Sequence, residues 1–189
     1  MRLCVLLVLV VLLAGSCSDD AVDDTTTTSA AATTAPVADP PWGLDGIAMP
    51  DTTGAVELWF GALPEEISGA QRTLMRGRVE GGIGAEYLQA AGALGTIRAT
   101  PMEGVNAASG GDFSPYDWLG MMSSDVDIED SDLDPETDVA WFAGRTEADG
   151  VLVFILVWGV PDGGWYFDIV SGTPDGREAL VTAFIAAAG

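Results

Sequence analysis

The densest apolar run in the chain, Val151 to Trp158, reads Val-Leu-Val-Phe-Ile-Leu-Val-Trp with no polar position. A strand with one wet face would alternate, so this run predicts a central strand covered on both sides, Phe154 included. Val139 to Ala143 and Trp165 to Val170 flank it, set off by Glu147-Ala148-Asp149-Gly150 and by the stretch Val160 to Gly164, both of turn composition. The three runs predict an antiparallel meander. Thr173-Pro174 then supplies an N-cap followed by proline at the first helical position, and a helix is expected over 175–188 with Leu180, Phe184 and Ala187 on one side.

The earlier part of the chain carries the same kinds of signal. Asp51-Thr52-Thr53 offers N-caps ahead of Val56, Leu58, Trp59, Phe60 and Leu63, which predicts a helix over 53–62 stopped by Pro64. Ser114-Pro115 predicts a short helix over 116–122 that buries Trp118, Leu119 and Met122. Between them lies a glycine-rich stretch, Gly69 to Pro101, with short strand candidates over 71–80, 85–89 and 95–100. Arg72, Arg76 and Arg78 share parity there, so a strand turns all three to one face, where pairing with the chain's own carboxylates is expected. The fold class is α+β: an antiparallel sheet whose last three strands form a meander, packed by the C-terminal helix and one or two earlier helices.

The first seventeen residues follow a different pattern. Met1-Arg2 is a short positive segment, Leu3 to Leu13 is an unbroken apolar run of eleven residues, and Ala14-Gly15-Ser16 places small residues before Cys17. As a helix that run reaches only about 16 Å, against ~30 Å for a bilayer core, so it reads as the apolar region of a secretory signal. Leu13-Ala14-Gly15-Ser16-Cys17 resembles the lipobox of bacterial lipoproteins, with Ala14 where the commonest form has leucine. The resemblance implies diacylglycerol on the Cys17 sulfur, cleavage just before it, and an extracytoplasmic protein anchored in the cell membrane. Two acyl chains give stable residence where one is marginal. Ser18 to Pro41, rich in Thr, Ala, Asp and Pro, reads as a disordered linker. The organisation expected is therefore a signal peptide over 1–16, a lipidated cysteine and linker over 17–41, and one domain of about 150 residues over 42–189.

Charge narrows the partners. The chain has 29 Asp and Glu against seven Arg, with no Lys and no His, a formal charge of −22. Such a surface repels phosphates and lacks the counterion release that drives nucleic-acid binding, so no DNA or RNA partner is expected. With no His, no Lys, and Cys4 and Cys17 both in the leader, Ser/His/Asp and Cys/His arrangements, Schiff bases and histidine-ligated zinc are excluded. Asp51-Thr52-Thr53-Gly54 is similar to the Asp-Thr-Gly of aspartic proteases but has an extra threonine and no second copy, and reads as a helix cap. Six tryptophans could line a groove, though core packing accounts for most of them. No residue stands out as catalytic.

The segment Asp125 to Asp138 concentrates eight carboxylates. With Asp125 as position 1, Asp127, Glu129 and Glu136 fall at positions 3, 5 and 12 of a calcium loop, the oxygen ligands Ca²⁺ prefers. Asp130 stands where that loop needs glycine, and Pro135 precedes the bidentate position. The preferred reading is a solvated, extended loop tacked to the core by Val126, Ile128 and Leu133, with weak cation binding as the alternative. The function expected is a membrane-anchored, non-catalytic binding or scaffolding module at the cell envelope, its partner an envelope protein or a small ligand. The alternative is a lipoprotein that binds a metal ion or small ligand.

Overall fold

Thr52 accepts the Ala55 amide on its hydroxyl (3.3 Å) and opens α1 (Thr53–Ala62), which buries Val56 and Phe60 and stops at Leu63, ahead of Pro64. A computed structural model gives the fold and describes residues 42–44, 52–77, 79–90, 92–134, 136–160 and 163–189; the leader, Cys17, the linker and Arg78 lie outside the described residues. Beyond α1 come β1 (Glu66–Ile67), β2 (Ala70–Arg76), β3 (Ile83–Gln89), β4 (Gly92–Pro101), α2 (Met102–Ser109), α3 (Pro115–Ser123), β5 (Asp127–Asp132), β6 (Ala140–Ala148), β7 (Val151–Gly159), β8 (Trp165–Ser171) and α4 (Pro174–Ala188).

The strands form one eight-stranded sheet in the order β1-β2-β3-β4-β8-β7-β6-β5, and every neighbouring pair is antiparallel. Two four-stranded meanders meet where β4 pairs with β8, Ile97 opposite Ile169. The β6–β7 hairpin closes in two residues, Asp149 (φ 52°) and Gly150 (φ 77°). Positive φ at both positions is the mirror-image turn that matches the strand twist, and the Asp-Gly pair supplies it at low steric cost.

Helices cover both faces of the sheet. One face carries α1 and α4, with Phe60, Leu180 and Phe184 packed against Tyr87, Ile97, Leu156, Trp158, Phe167 and Ile169. The other carries α2 and α3, with Met102, Val105 and Leu119 against Phe142, Ile155, Val157 and Tyr166. The α+β class and the C-terminal helix on the sheet are as the pattern indicates. Ser114 and Asp117 form a reciprocal capping box at the start of α3. Leu119 is fully buried there, while Trp118 and Met122 are only half-buried.

Four expectations need correction. The strand Val151 to Trp158 is interior but not central, since β4 and β8 hold the middle of the sheet. Only Ile155 to Gly159 are buried; Val151 and Leu152 are exposed at the hairpin tip and Phe154 is half-buried. A sequence of apolar residues does not report how far the covering helices extend. Helix α2 was not expected because its signals are weak: Pro101 makes no side-chain cap, and Gly104 and Asn106 are poor helix formers. Its end is marked by Gly110 in the left-handed conformation (φ 71°). Arg72 and Arg76 do share a face through their partners Tyr87 and Ile83, yet among the described residues no carboxylate pairs with Arg72. Its guanidinium donates to the carbonyls of Phe60 (2.9 Å), Gly61 (3.3 Å) and Leu63. These are orphan acceptors at the end of α1, a helix with no basic residue in its last turn.

The fourth correction concerns the acidic segment, which is a strand rather than a loop over 127–132. β5 pairs with β6 from Asp127 opposite Arg145 to Asp132 opposite Trp141. Aspartate is a poor strand former, so the local signal opposed this outcome. Backbone pairing with the open edge of β6 and the ion pair of Glu129 with the buried Arg177 override it.

Candidate functional site

Among the described residues, two clusters of ionisable groups that the fold draws together bear on function. The first is the acidic edge. Between Ile128 and Asp130 the register of β5 shifts by one residue, a β-bulge that leaves Glu129 as the extra position. Opposite Ile128 stands Gly144, where a Cβ would come within 2.5 Å of the Asp127 carbonyl oxygen, so a glycine is needed for the bulged strand to close on β6. The bulge lets the Glu129 carboxylate accept from Arg177 Nη2 at 2.8 Å. Arg177 is 6% exposed, rises from the first turn of α4, donates through Nη1 to the carbonyls of Ile155 (3.1 Å) and Gly144 (3.3 Å), and lies 5.0 Å from the Trp42 ring centroid. It ties α4, three strands and the start of the domain together. Asp127 is held by Arg145, whose Nε and Nη2 each lie 2.7 Å from Asp127 Oδ2. Both side chains of that pair are more than half exposed, so it adds little stability.

These contacts locate the residues singled out for Ca²⁺. Asp127, before the bulge, is engaged by Arg145, and Glu129, the bulged residue, by Arg177. Asp125 lies in the turn before β5, where its carbonyl accepts from Thr146 Oγ1 (3.1 Å), and Glu136 lies beyond the strand, its amide donating to Asp134 Oδ1 (2.9 Å). Among the described residues no group of three or more carboxylates converges as a metal site. An extended strand spreads its residues at about 3.3 Å per position, whereas a calcium loop folds them around a point.

The second place is the α2/α3 face beside the uncovered flank of β2 and β3. Arg98 on β4 and Asp168 on β8 are directly opposite each other, and the guanidinium grips Asp168 Oδ2 through Nε and Nη2, each at 2.6 Å. Asp168 is 3% exposed. Its charge raises the Arg98 pKa further above its ordinary value. Tyr166 is buried on the same face, and burial first, then the Asp168 charge, pushes its hydroxyl pKa above 10.0. Nothing in the sequence marks this cluster, because Arg98 and Asp168 are far apart in the chain and each sits in an ordinary strand.

The raised Tyr166 pKa fixes a sign. The folded state prefers the neutral phenol, so its contribution is complete below the unfolded value near 10.0 and is lost as pH rises through the folded value. Tyr87, whose hydroxyl donates to the Pro64 carbonyl (2.8 Å), is raised in the same direction by burial, opposed by Arg72. Thermal melts from pH 8 to 11 should show falling stability above about pH 10, and a shallower fall in Tyr166→Phe. An identical alkaline slope in that variant would assign the decline to other groups.

The cavities are shallow. A groove of about 460 Å³ between the start of α1 and the β2–β3 hairpin is lined by Thr53, Glu57, Leu74, Arg76 and Ile83, and an adjoining one of about 570 Å³ by Val79, Glu80, Pro101, Glu103 and Gly104. Trp59, Trp141, Trp158 and Trp165 belong to the α1/α4 core, and Trp118 packs on the other face. Trp42 borders a smaller cleft of about 310 Å³ beside α4. Comparison with protein-family models, with curated proteins and with solved structures finds no match for this chain.

Proposed function

We propose that the protein is a lipoprotein held on the outer face of the cell membrane by Cys17, and that it works there by binding a partner rather than by catalysis. The observation that carries this reading is the leader, a short apolar run followed by Leu13-Ala14-Gly15-Ser16-Cys17. The domain adds two supports. Its buried charges, Asp168 and Arg177, are taken up in ion pairs that hold strands and a helix together. Trp141, Trp158 and Trp165 are buried in the α1/α4 core and Trp42 and Trp59 pack against it, so their area stabilises the fold. Among the described residues no helix is long and apolar enough to cross a membrane; the two acyl chains that the lipobox implies would by themselves give stable attachment.

The test is fractionation of the intact chain and of Cys17→Ala expressed in a bacterium that processes lipoproteins. The wild type should partition into detergent and take up labelled fatty acid, and the variant should do neither. Retention of Cys17→Ala on membranes through high salt and mild alkali would defeat the anchoring reading.

A further inference from the structure

We propose that the outer edge of β5 is a docking site for an extended cationic segment of another protein, one that alternates Lys or Arg with apolar residues and adds to the sheet as a ninth strand. The inference rests on the binding reading above and names the surface and the class of partner.

The edge has three properties that point the same way. First, β5 ends the sheet, and among the described residues nothing pairs with its outer side. Its main-chain groups are therefore open to a further strand, the mode in which backbone hydrogen bonds supply affinity and alternate side chains supply selectivity. Second, its two flanks differ. Asp130 and Asp132, opposite Ala143 and Trp141, stand on the α1/α4 side, while Ile128 and Ser131, opposite Gly144 and Phe142, stand on the α2/α3 side. Ile128 is an exposed apolar residue, as is Met121 on α3, the helix that packs over β6 and β7 on that same side. An incoming strand thus meets carboxylates along one flank, Asp132 there already accepting from Thr137 Oγ1 and the Asp134 amide, and Ile128 along the other, a pattern that suits an alternating basic and apolar sequence. Third, the middle of the strand is fixed by the ion pair of Glu129 with the buried Arg177, so less ordering is left for the partner to impose.

Acidic side chains on a sheet edge also guard it against pairing between copies of the same chain. The two roles are compatible here, because a chain of charge −22 without lysine repels itself and steers cationic partners inward. The local chemistry supplies a switch between them. The Ser131 amide donates to Asp130 Oδ1 at 2.9 Å, a self-made cover for a donor directed away from β6. An ammonium or guanidinium on the incoming strand draws the Asp130 carboxylate to itself and leaves that N–H for the strand's carbonyl.

The experiment uses the intact chain in detergent micelles and three fluorescent ten-residue peptides: alternating Lys-Val, the same composition with the lysines and valines in separate blocks, and alternating Glu-Val. In anisotropy titrations at low salt the alternating Lys-Val peptide should bind at least about tenfold more tightly than the block peptide, and the Glu-Val peptide should not bind. Asp130→Lys/Asp132→Lys should weaken binding by at least about tenfold by reversing the charged flank. Ser131→Pro, which removes an outward amide from an edge strand where proline is tolerated, should weaken it comparably while leaving the thermal melt near wild type. Hydrogen exchange should slow at Ser131 and its neighbours when the alternating peptide is added. Equal binding of the block and alternating peptides, or no binding at low salt, would overturn the proposal and show that the acids only guard the edge. Because the Cys17→Ala fractionation is independent of these titrations, failure here leaves the anchored-binder reading standing, and failure there leaves the edge assignment standing.

Discussion

Phe167→Ala should lower the stability of the protein by about 3–5 kcal/mol, the range for removing a fully buried aromatic ring from a core. Phe167 is completely buried at the centre of an aromatic cluster on the α1/α4 face. It stacks on Trp158 with ring centroids 5.3 Å apart and an interplanar angle of 15°, and contacts Phe184 at 5.6 Å and Trp59 at 6.0 Å. Its loss therefore removes hydrophobic area and the favoured ring geometries of three neighbours, which are worth roughly 0.5–1.5 kcal/mol each beyond burial. The surrounding residues sit on β7, α1 and α4, three separate elements, and cannot collapse together into the space. Phe154→Ala is the internal comparison, because Phe154 is on the same face but half-buried near Arg177 and should lose clearly less. Denaturant melts of the two variants decide the matter. A loss below about 1 kcal/mol for Phe167→Ala would mean that this cluster is not the core.

Arg98→Ala should cost about 3 kcal/mol, near the low end for breaking a buried ion pair by removing one partner. The asymmetry of the pair sets the figure. Arg98 keeps 35% of its side chain in solvent, whereas the Asp168 side chain keeps 4%, so truncating the arginine strands a carboxylate that water cannot reach. Asp168 makes further interactions, and the partial exposure of Arg98 screens the pair; both hold the loss below the upper end of the range. The double variant Arg98→Leu/Asp168→Leu should recover most of the loss, because two apolar residues on adjacent central strands pack without an orphaned charge. A double-mutant cycle by chemical denaturation gives the coupling directly. If the double variant is less stable than Arg98→Ala alone, the pair contributes through something other than mutual neutralisation.

Much of the architecture is written locally. The apolar runs of β6, β7 and β8, the Asp149-Gly150 turn, the Thr52, Ser114 and Thr173 caps and the prolines beside them each state a conformation through the chemistry of a few adjacent residues. The class of fold follows from their order, and the exclusions of chemistry follow from the absence of His and Lys.

What the tertiary structure decided are matters in which distant residues meet. The pairing of β4 with β8, which joins two meanders and places Arg98 on Asp168, depends on strands about 70 positions apart and leaves no trace in either. Arg72 had an expected face but not its partner, because the carbonyls at the end of α1 come within reach of it only once the helix packs on the sheet against β3. The acidic segment shows the reason most clearly. Its residues alone favour a solvated loop, and they form a strand because β6 offers an open edge and Arg145 and Arg177 arrive from elsewhere in the chain to meet Asp127 and Glu129. Local sequence sets the conformational preference of each segment; only the assembled sheet determines which charges are paired, which are buried, and which edge is left for a partner.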